Sequence, residues 1–447
     1  MEIKQFRLHN IGRFKDITIP LAPNGQSEGN VTVFVGNNGT GKTSLLKSLA
    51  TSLSWLVARI KSESGNGTVI PELVIHNGKN SAAVDIQLMD QNNEPMNWRI
   101  AKSRKGRKGE HSSILGGATK LAEFYRDLLT NDDNAALPLV AFYSVERVVI
   151  DVPLKIRGKH TFSQIDGYDQ SLTQGVNFRR FFEWFRERED TENESAIPQH
   201  ILDNIETTKG KSSEIWKDLI TYQTATRDRQ LSAVRTAISQ FMPGFSNLKV
   251  KRKPRLHMSI DKNDMTLNVE QLSQGEKSLM ALIGDIARRL AMMNPELENP
   301  LEGDGIVLID EVDMHLHPKW QRSLIKQLTS TFPKCQFVLT THSPLVISDS
   351  KDVLAYLVEG EDELTTLPTM YGQDANSILL SVMDTAVRNE DVQQQLDDVF
   401  DEIQDGNLAK SKELIERLSS NLSPNNIELA KARLLLKKME MKRAKSS

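Results

Sequence analysis

The chain has 447 residues, of which 38% are hydrophobic and 26% charged, and a formal net charge of −3. This length predicts two or three structural units, and the balanced charge gives no global signal for nucleic-acid binding. The single cysteine, Cys335, excludes a disulfide framework within the chain and suits a reducing compartment. No apolar run of 18 residues occurs, so we expect no membrane span and a cytoplasmic protein.

The strongest motif starts at Gly36 and fits the phosphate-loop pattern G-x-x-x-x-G-K-[ST]. Residues 31–35 predict a buried parallel strand before it, and residues 44–49 predict a helix after it. This geometry directs backbone N–H groups and a positive helix end at phosphate. We therefore expect ATP here, with Lys42 at the β- and γ-phosphates and the Thr43 hydroxyl on Mg²⁺. The predicted nucleotide-binding residues are Asn37, Asn38, Gly39, Thr40, Gly41, Lys42, Thr43 and Ser44.

Residues 1–150 are predicted to form the first half of an ATPase core, with a further core strand at 138–143. Residues 151–246 interrupt that core with two amphipathic helices, predicted at 175–188 and 213–241. The first helix carries five aromatic side chains, which we expect to pack between helices. They are Phe178, Phe181, Phe182, Trp184 and Phe185.

Residues 247–371 are predicted to complete the core, beginning with the segment Leu-Ser-Gln-Gly-Glu-Lys at 272–277 and a helix over 278–292. Ser273 offers a hydroxyl, and Gly275 allows close approach of the backbone. The alternative is a capping box between Ser273 and Glu276. Both interpretations can hold together.

An apolar run at 305–309 predicts a buried strand that ends in two carboxylates. Asp310 is expected to bind Mg²⁺ through water, and Glu311 to act as the general base on the attacking water. The alternative is a strand that runs into an acidic turn. His342 follows Glu311 by 31 residues, after a predicted helix at 320–332 and a strand at 337–339.

Together these motifs resemble the ABC-type ATPases, and more narrowly the SMC-like and OLD-like ATPases. The resemblance implies an α/β fold: an ABC-type (SMC-like) P-loop ATPase head with a short helical insertion and a helical C-terminal region. It implies that Ser273 and Gly275 form a signature motif that closes on ATP bound by a second protomer, and that His342 senses the γ-phosphate. It therefore implies self-association through the ATPase heads.

Three further segments follow from the same resemblance. Residues 1–14 resemble the opening strand of these ATPases, which makes Arg13 a cofactor-binding candidate. Residues 310–321 resemble their acidic strand and loop, which accounts for His315 and His317 better than a metal site does. Residues 144–147 occupy the position of a sensing loop that lacks its glutamine, so Glu146 and Arg147 are the candidates for that role.

Residues 372–447 are predicted to be helical, at 392–403, 409–418 and 427–442. This region is too short for the C-terminal nuclease domain of OLD proteins. With the compact insertion and the run at 371–379, the chain resembles the PtuA family, the ATPase subunits of Septu antiphage defence that also occur beside some retrons. The resemblance implies a partner HNH nuclease, PtuB, and an ATPase without a nuclease site of its own.

The apolar faces of the tail helices must bury against the partner, the ATPase core or another copy of the chain. Basic stretches at 99–108 and 249–255 fit contact with nucleic-acid phosphates or solvated loops and strand edges. Two functions therefore remain open. The chain is an ATP-gated regulatory and scaffold subunit of a nuclease, or a stand-alone DNA-repair or recombination ATPase that clamps or moves DNA.

Overall fold

The computed structural model describes most of the chain, in two compact units, Met1–Gln373 and Asp374–Ser447. The sensing-loop candidates Glu146 and Arg147 lie outside the described residues. The described residues are 1–145, 162–173, 176–195, 213–225, 227–383, 385–386, 388–423 and 425–446, with positions 201, 204–205, 207–208 and 210. Within them, no helix is both long enough and apolar enough to cross a membrane.

The strands are β1 (Glu2–Ile11), β2 (Phe14–Pro20), β3 (Val31–Val35), β4 (Ser81–Met89), β5 (Pro95–Ser103), β6 (Leu139–Tyr143), β7 (Phe245–Lys251), β8 (His257–Lys262), β9 (Met265–Asn268), β10 (Gly305–Ile309), β11 (Cys335–Thr341), β12 (Val353–Val358) and β13 (Leu364–Thr366). The helices are α1 (Lys42–Lys61), α2 (Gly116–Asn131), α3 (Phe178–Ser195), α4 (Glu214–Ala225), α5 (Arg229–Phe241), α6 (Gln274–Met293), α7 (Pro318–Thr331), α8 (Pro344–Ser348), α9 (Ala375–Ser381), α10 (Glu390–Gln404), α11 (Leu408–Asn421) and α12 (Ile427–Ser446).

A six-stranded sheet in the order β13-β12-β3-β11-β10-β6 forms the centre of the first unit. The five strands from β12 to β6 are parallel, and β13 is antiparallel to β12. Strands β3, β6, β10 and β11 are buried along their whole length, as expected for parallel strands covered on both faces. Because these strands are parallel, the segments that follow β3, β10 and β11 meet at one edge of the sheet, where ligands bind in open α/β folds.

A four-stranded antiparallel sheet, β2-β1-β4-β5, joins this central sheet through a buried glutamine. The side-chain amide of Gln336 on β11 donates to the carbonyl oxygens of Ile3 (2.8 Å) and Ala22 (2.7 Å). Its carbonyl oxygen accepts from the Ile3 N–H at 2.8 Å. Burial makes these bonds costly to lose, so they join the N-terminal sheet to the central sheet at the start of β11, opposite the nucleotide edge.

The helical insertion packs on α6. Its five predicted aromatic side chains are all buried, which confirms their packing role. The Phe181 ring of α3 lies 2.9 Å from the position that a Cβ on Gly284 of α6 would take. The predicted single helix over 213–241 is wrong, because the chain forms α4 and α5 there instead. Asp228 ends the continuity, since its carboxylate caps α5 by accepting from the Leu231 N–H at 2.8 Å.

A buried charged cluster ties α6 to the end of β6. The Asp285 carboxylate accepts from the guanidinium groups of Arg288 and Arg289, each at 2.7 Å, and from the Tyr143 hydroxyl at 3.0 Å. Burial alone would raise the pKa of Asp285, but the charges of Arg289 and Arg288 lower it to about 2. The carboxylate is therefore ionised, and it neutralises part of a buried positive charge.

The second unit is helical, and its principal helices α10, α11 and α12 bury their apolar faces against one another. The eight residues of this internal cluster are Leu396, Val399, Ile403, Ile415, Leu418, Leu429, Ala432 and Leu436. The expectation that these faces need the ATPase core, a partner or another copy is thus wrong for Ile415, Leu418, Leu429 and Leu436. In contrast, Leu434 and Leu435 remain exposed on α12.

Candidate nucleotide-binding site

The phosphate loop leads directly into α1, which begins at Lys42. Gly41 caps this helix in a left-handed conformation, with φ of 103°, and a Cβ there would lie 2.9 Å from the Phe14 ring. Only glycine fits this position. The first turn of α1 contains no acidic residue, so the positive end of the helix is not neutralised and favours an anion.

Lys42 is buried, with 5% of its surface exposed. Its ammonium group donates to the carbonyl oxygens of Gly36 (2.7 Å) and Asn37 (2.8 Å). Burial lowers the pKa of Lys42 to about 8, against the opposing effect of the charges on Glu311, Asp310 and Asp313. This electrostatic coupling places the phosphate-loop lysine and the acidic end of β10 in one site.

Arg13 also contacts the phosphate loop. It lies in the turn between β1 and β2, and its guanidinium donates to the Gly39 carbonyl oxygen at 3.0 Å. Within the loop, the Thr40 hydroxyl donates to the Asn37 carbonyl oxygen at 3.0 Å. The antiparallel sheet therefore brings a second cation to the loop that contains Lys42.

The two carboxylates predicted on the acidic strand follow β10 directly. Asp310 is wholly buried, and its carboxylate accepts from the Thr340 hydroxyl at 2.6 Å. Glu311 is partly exposed and takes a left-handed backbone conformation, with φ of 45°. Its N–H donates to the same Thr340 hydroxyl at 2.7 Å. The turn thus separates a buried carboxylate, suited to a metal ion, from an accessible one, suited to water.

His342 lies beside these groups after β11. Its Nε2 is 4.0 Å from Oε1 of Glu311, and its backbone N–H donates to Asp313 at 3.4 Å. Burial and the positive charge of Lys42 lower the pKa of His342 below its usual range. The imidazole is therefore mostly neutral at pH 7 and can accept or donate a hydrogen bond.

Ser273 and Gly275 lie at the start of α6, where both have contacts within the chain. The Ser273 hydroxyl accepts from the Glu276 N–H at 3.4 Å, and the Glu276 carboxylate accepts from the Ser273 N–H at 2.9 Å. This is the capping box considered from the sequence. A Cβ on Gly275 would lie 2.2 Å from the carbonyl oxygen of His315. The role of both residues towards a nucleotide stays a prediction, because it requires a second protomer.

Asp313, Thr340 and Thr341 also belong to the site, although no role was predicted for them. The Thr341 hydroxyl donates to Asp313 at 2.5 Å, and Asp313 in turn contacts His342. Asp313 could have been found from the sequence, because it lies in the acidic run that follows β10. The threonines carry no local signal, because their roles depend on β11 pairing with β10.

The residues at this edge fit Mg·ATP. A lysine, an arginine and an unneutralised helix end suit a polyphosphate, while the Thr43 hydroxyl and the Asp310 carboxylate are oxygen ligands of the kind that Mg²⁺ prefers. When bound, Mg²⁺ would neutralise charge on the β- and γ-phosphates. Within the described part of the chain, no group of three or more His, Cys, Asp or Glu side chains is arranged to hold a metal.

A protein-family profile matches residues 31–348, more than half of the chain. Its description is "AAA domain, putative AbiEii toxin, Type IV TA system". The match spans the phosphate loop, both carboxylates and His342. The class is therefore a P-loop ATPase, consistent with the parallel sheet and the site at its edge.

The chain is also similar to two retron proteins. It is 32% identical over 427 residues to "Retron Ec83 probable ATPase" from Escherichia coli, covering 87% of this chain and 77% of the relative. It is 33% identical over 410 residues to "Retron Vc95 probable ATPase" from Vibrio cholerae serotype O1 biovar El Tor, covering 86% and 80%. The chain belongs to the family of AAA-domain ATPases that includes these retron proteins.

A shorter match connects the chain with Septu defence. It is 37% identical over 118 residues to "Septu protein PtuA" from Bacillus mycoides (strain KBAB4), covering 25% of this chain and 16% of the relative. Among solved structures, an Smc head bound to the C-winged helix domain of ScpA is 15% identical, with a TM-score of 0.44 over 82% of this chain and 98% of that chain. The predicted resemblance to PtuA and to retron-associated ATPases is confirmed at the level of relatives.

Proposed function

We propose that the chain is the ATP-binding and ATP-hydrolysing regulatory and scaffold subunit of an antiphage defence complex, and that it controls a partner HNH nuclease of the PtuB kind. The similarity to a retron ATPase over most of both chains carries this proposal. The partial similarity to a Septu protein supports the same role. ATP and Mg²⁺ are the ligands that the proposal requires.

In the proposed reaction each residue acts from the position described above. Lys42 and the N-terminus of α1 bind the β- and γ-phosphates, and Arg13 supports the loop through Gly39. Glu311 accepts a proton from the attacking water. His342, whose Nε2 lies 4.0 Å from Glu311, senses the γ-phosphate in this proposal.

A dimer of heads is the proposed minimum unit. The phosphate loop and the signature motif each occur once in the chain, and each of the two ATP molecules would lie between the loop of one protomer and Ser273 and Gly275 of the other. Each protomer would contribute its phosphate loop to one ATP and its signature motif to the other. The interface is therefore the same for both protomers, and the dimer closes with two-fold symmetry.

The tail offers a surface for the nuclease that differs from the one expected from the sequence. Ile427, Leu434 and Met441 lie on one face of α12 at seven-residue intervals, with 71%, 71% and 56% of their surface exposed. This spacing aligns the three side chains in one exposed stripe, two helical turns apart, with the exposed Lys431 and Lys438 between them. Because the opposite face of α12 is already buried in the internal cluster, the stripe is the proposed docking site.

Two measurements test the proposal. In cells that express the chain with the HNH nuclease encoded beside its gene, protection from phage should be lost with Lys42→Ala and retained with Arg322→Ala, an exposed residue of α7. The purified chain should hydrolyse ATP, and Glu311→Gln should bind Mg·ATP with no turnover.

The partner is tested by co-purification. Leu434→Asp combined with Met441→Asp should release the nuclease while ATP turnover continues, whereas Asp398→Lys on α10 should retain it. Protection by the chain alone, without any nuclease, would contradict the proposed partnership.

A further inference from the structure

One buried hydroxyl contacts both acidic residues of the candidate site, Asp310 through its carboxylate and Glu311 through its backbone N–H. Thr340, near the end of β11, is wholly buried, and its Oγ1 donates to Oδ1 of Asp310 at 2.6 Å. The same oxygen accepts from the backbone N–H of Glu311 at 2.7 Å. A threonine hydroxyl has one hydrogen to donate and lone pairs to accept, so both bonds are made at once.

The backbone of Thr340 holds the same turn. Its carbonyl oxygen accepts from the N–H of Val312 at 2.9 Å. Glu311 therefore lies between two groups, at 310 and 312, that are both bonded to one residue of the neighbouring strand. Since β10 and β11 are paired in parallel, their register fixes the position of Thr340 beside the Glu311 turn.

The turn needs such support because of the conformation of Glu311. A residue other than glycine with φ of 45° is strained by about 1–3 kcal/mol and persists where its surroundings determine it. The direction of the Glu311 side chain follows from this backbone conformation. Without the hydroxyl, the turn could relax towards an ordinary conformation and carry the carboxylate away from its position beside His342.

We infer that Thr340 is a positioning residue for ATP hydrolysis, which orients Asp310 and holds the Glu311 turn through one hydroxyl. The inference rests on the proposed function of the site. Thr340 does not touch the nucleotide in this role, because its hydroxyl is occupied by the two carboxylate residues. Its effect should therefore fall on turnover more than on ATP binding.

The experiment compares two substitutions of Thr340. Thr340→Val keeps the shape and removes the hydroxyl, whereas Thr340→Ser restores it. We expect Thr340→Val to lower kcat at least tenfold and to change the Kd for Mg·ATP less than threefold. Thr340→Ser should recover at least half of the wild-type kcat. Phosphate release at saturating ATP gives kcat, and calorimetry gives Kd.

A matched control and a double variant separate positioning from a general loss of packing. Thr32 of β3 is equally buried, and its hydroxyl accepts from the Ala22 N–H at 2.9 Å outside the site. Thr32→Val should keep kcat within threefold of wild type. Adding Thr340→Val to Glu311→Gln, which has no turnover to lose, should leave the Kd for Mg·ATP within threefold of that of Glu311→Gln alone.

Three outcomes would overturn the inference. The first is a wild-type kcat in Thr340→Val, and the second is an equal loss in Thr340→Val and Thr32→Val. The third is a failure of Thr340→Ser to recover activity. A wild-type chain that binds Mg·ATP but never hydrolyses it would instead overturn the proposed function, and the inference with it.

Discussion

The burial of Lys42 should make the affinity for ATP depend on pH between pH 7 and pH 9. Its pKa of about 8 means that roughly nine-tenths of the unliganded sites are protonated at pH 7 and roughly one-tenth at pH 9. The phosphates of ATP favour the protonated form, so binding raises the pKa of Lys42. Affinity should therefore be highest below pH 8 and should fall as the pH rises through 8.

The expected magnitude follows from that pKa. Between pH 7 and pH 9 the affinity for Mg·ATP should fall about tenfold, or about 1.4 kcal/mol. At pH 8 each binding event should take up about half a proton, which calorimetry detects by comparing buffers of different ionisation enthalpy. Lys42→Arg provides the control, because a guanidinium stays protonated throughout this range. The affinity of Lys42→Arg for Mg·ATP, whatever its absolute value, should vary little between pH 7 and pH 9.

Two results would refute this reasoning. One is an equal affinity of the wild-type chain at pH 7 and pH 9. The other is binding at pH 8 without proton uptake. Either would mean that Lys42 does not lose its proton near pH 8 in the unliganded chain, and that the burial described here does not govern its charge.

Three further predictions concern assembly, stability and the switch residue. Light scattering should detect a dimer of Glu311→Gln with ATP, and a chain that stays monomeric under these conditions would contradict the proposed dimer of heads. Asp285→Asn should lower the free energy of unfolding, measured in denaturant, by about 3–5 kcal/mol, because two buried guanidinium groups lose their anion. As the control, Arg322→Ala removes the exposed ion pair with Asp349 and should lower it by less than about 1 kcal/mol. His342→Ala should lower ATP turnover more than ATP binding, as measured by phosphate release and calorimetry, and equal losses in both would contradict a sensing role.

The parts of the fold that were predictable from sequence are those with strong local patterns. The strands before the phosphate loop, Asp310 and His342 each combine a largely apolar run with a motif at its end, and the helix after the loop follows from the loop motif itself. The tail helices were predictable from helical spacing. The Asn263–Asp264 pair was not predicted as a turn, but it forms the two-residue connection between β8 and β9, where both residues have positive φ.

What was not predictable depends on contacts between segments distant in sequence. Thr340 acquires its role only because β11 pairs with β10, and Gly275 is confined by a carbonyl 40 residues further on, that of His315. The apolar tail residues Ile415, Leu418, Leu429 and Leu436 show the same limit. Periodicity indicates which face is apolar, but the packing partner of that face is decided by the loops that connect the helices.

The position of β3 in the central sheet has a consequence for how the protein is made. Both neighbours of β3, the strands β11 and β12, are encoded about 300 residues later, since Val31 pairs with Phe337 and with Val353. At a synthesis rate of about 5–20 residues per second, the phosphate loop leaves the ribosome roughly 15–60 seconds before the strands that must flank it. A nascent chain therefore carries the loop sequence without a nucleotide site. Competence to bind ATP should arise only near the completion of the ATPase core, so that a prematurely terminated chain cannot compete for nucleotide.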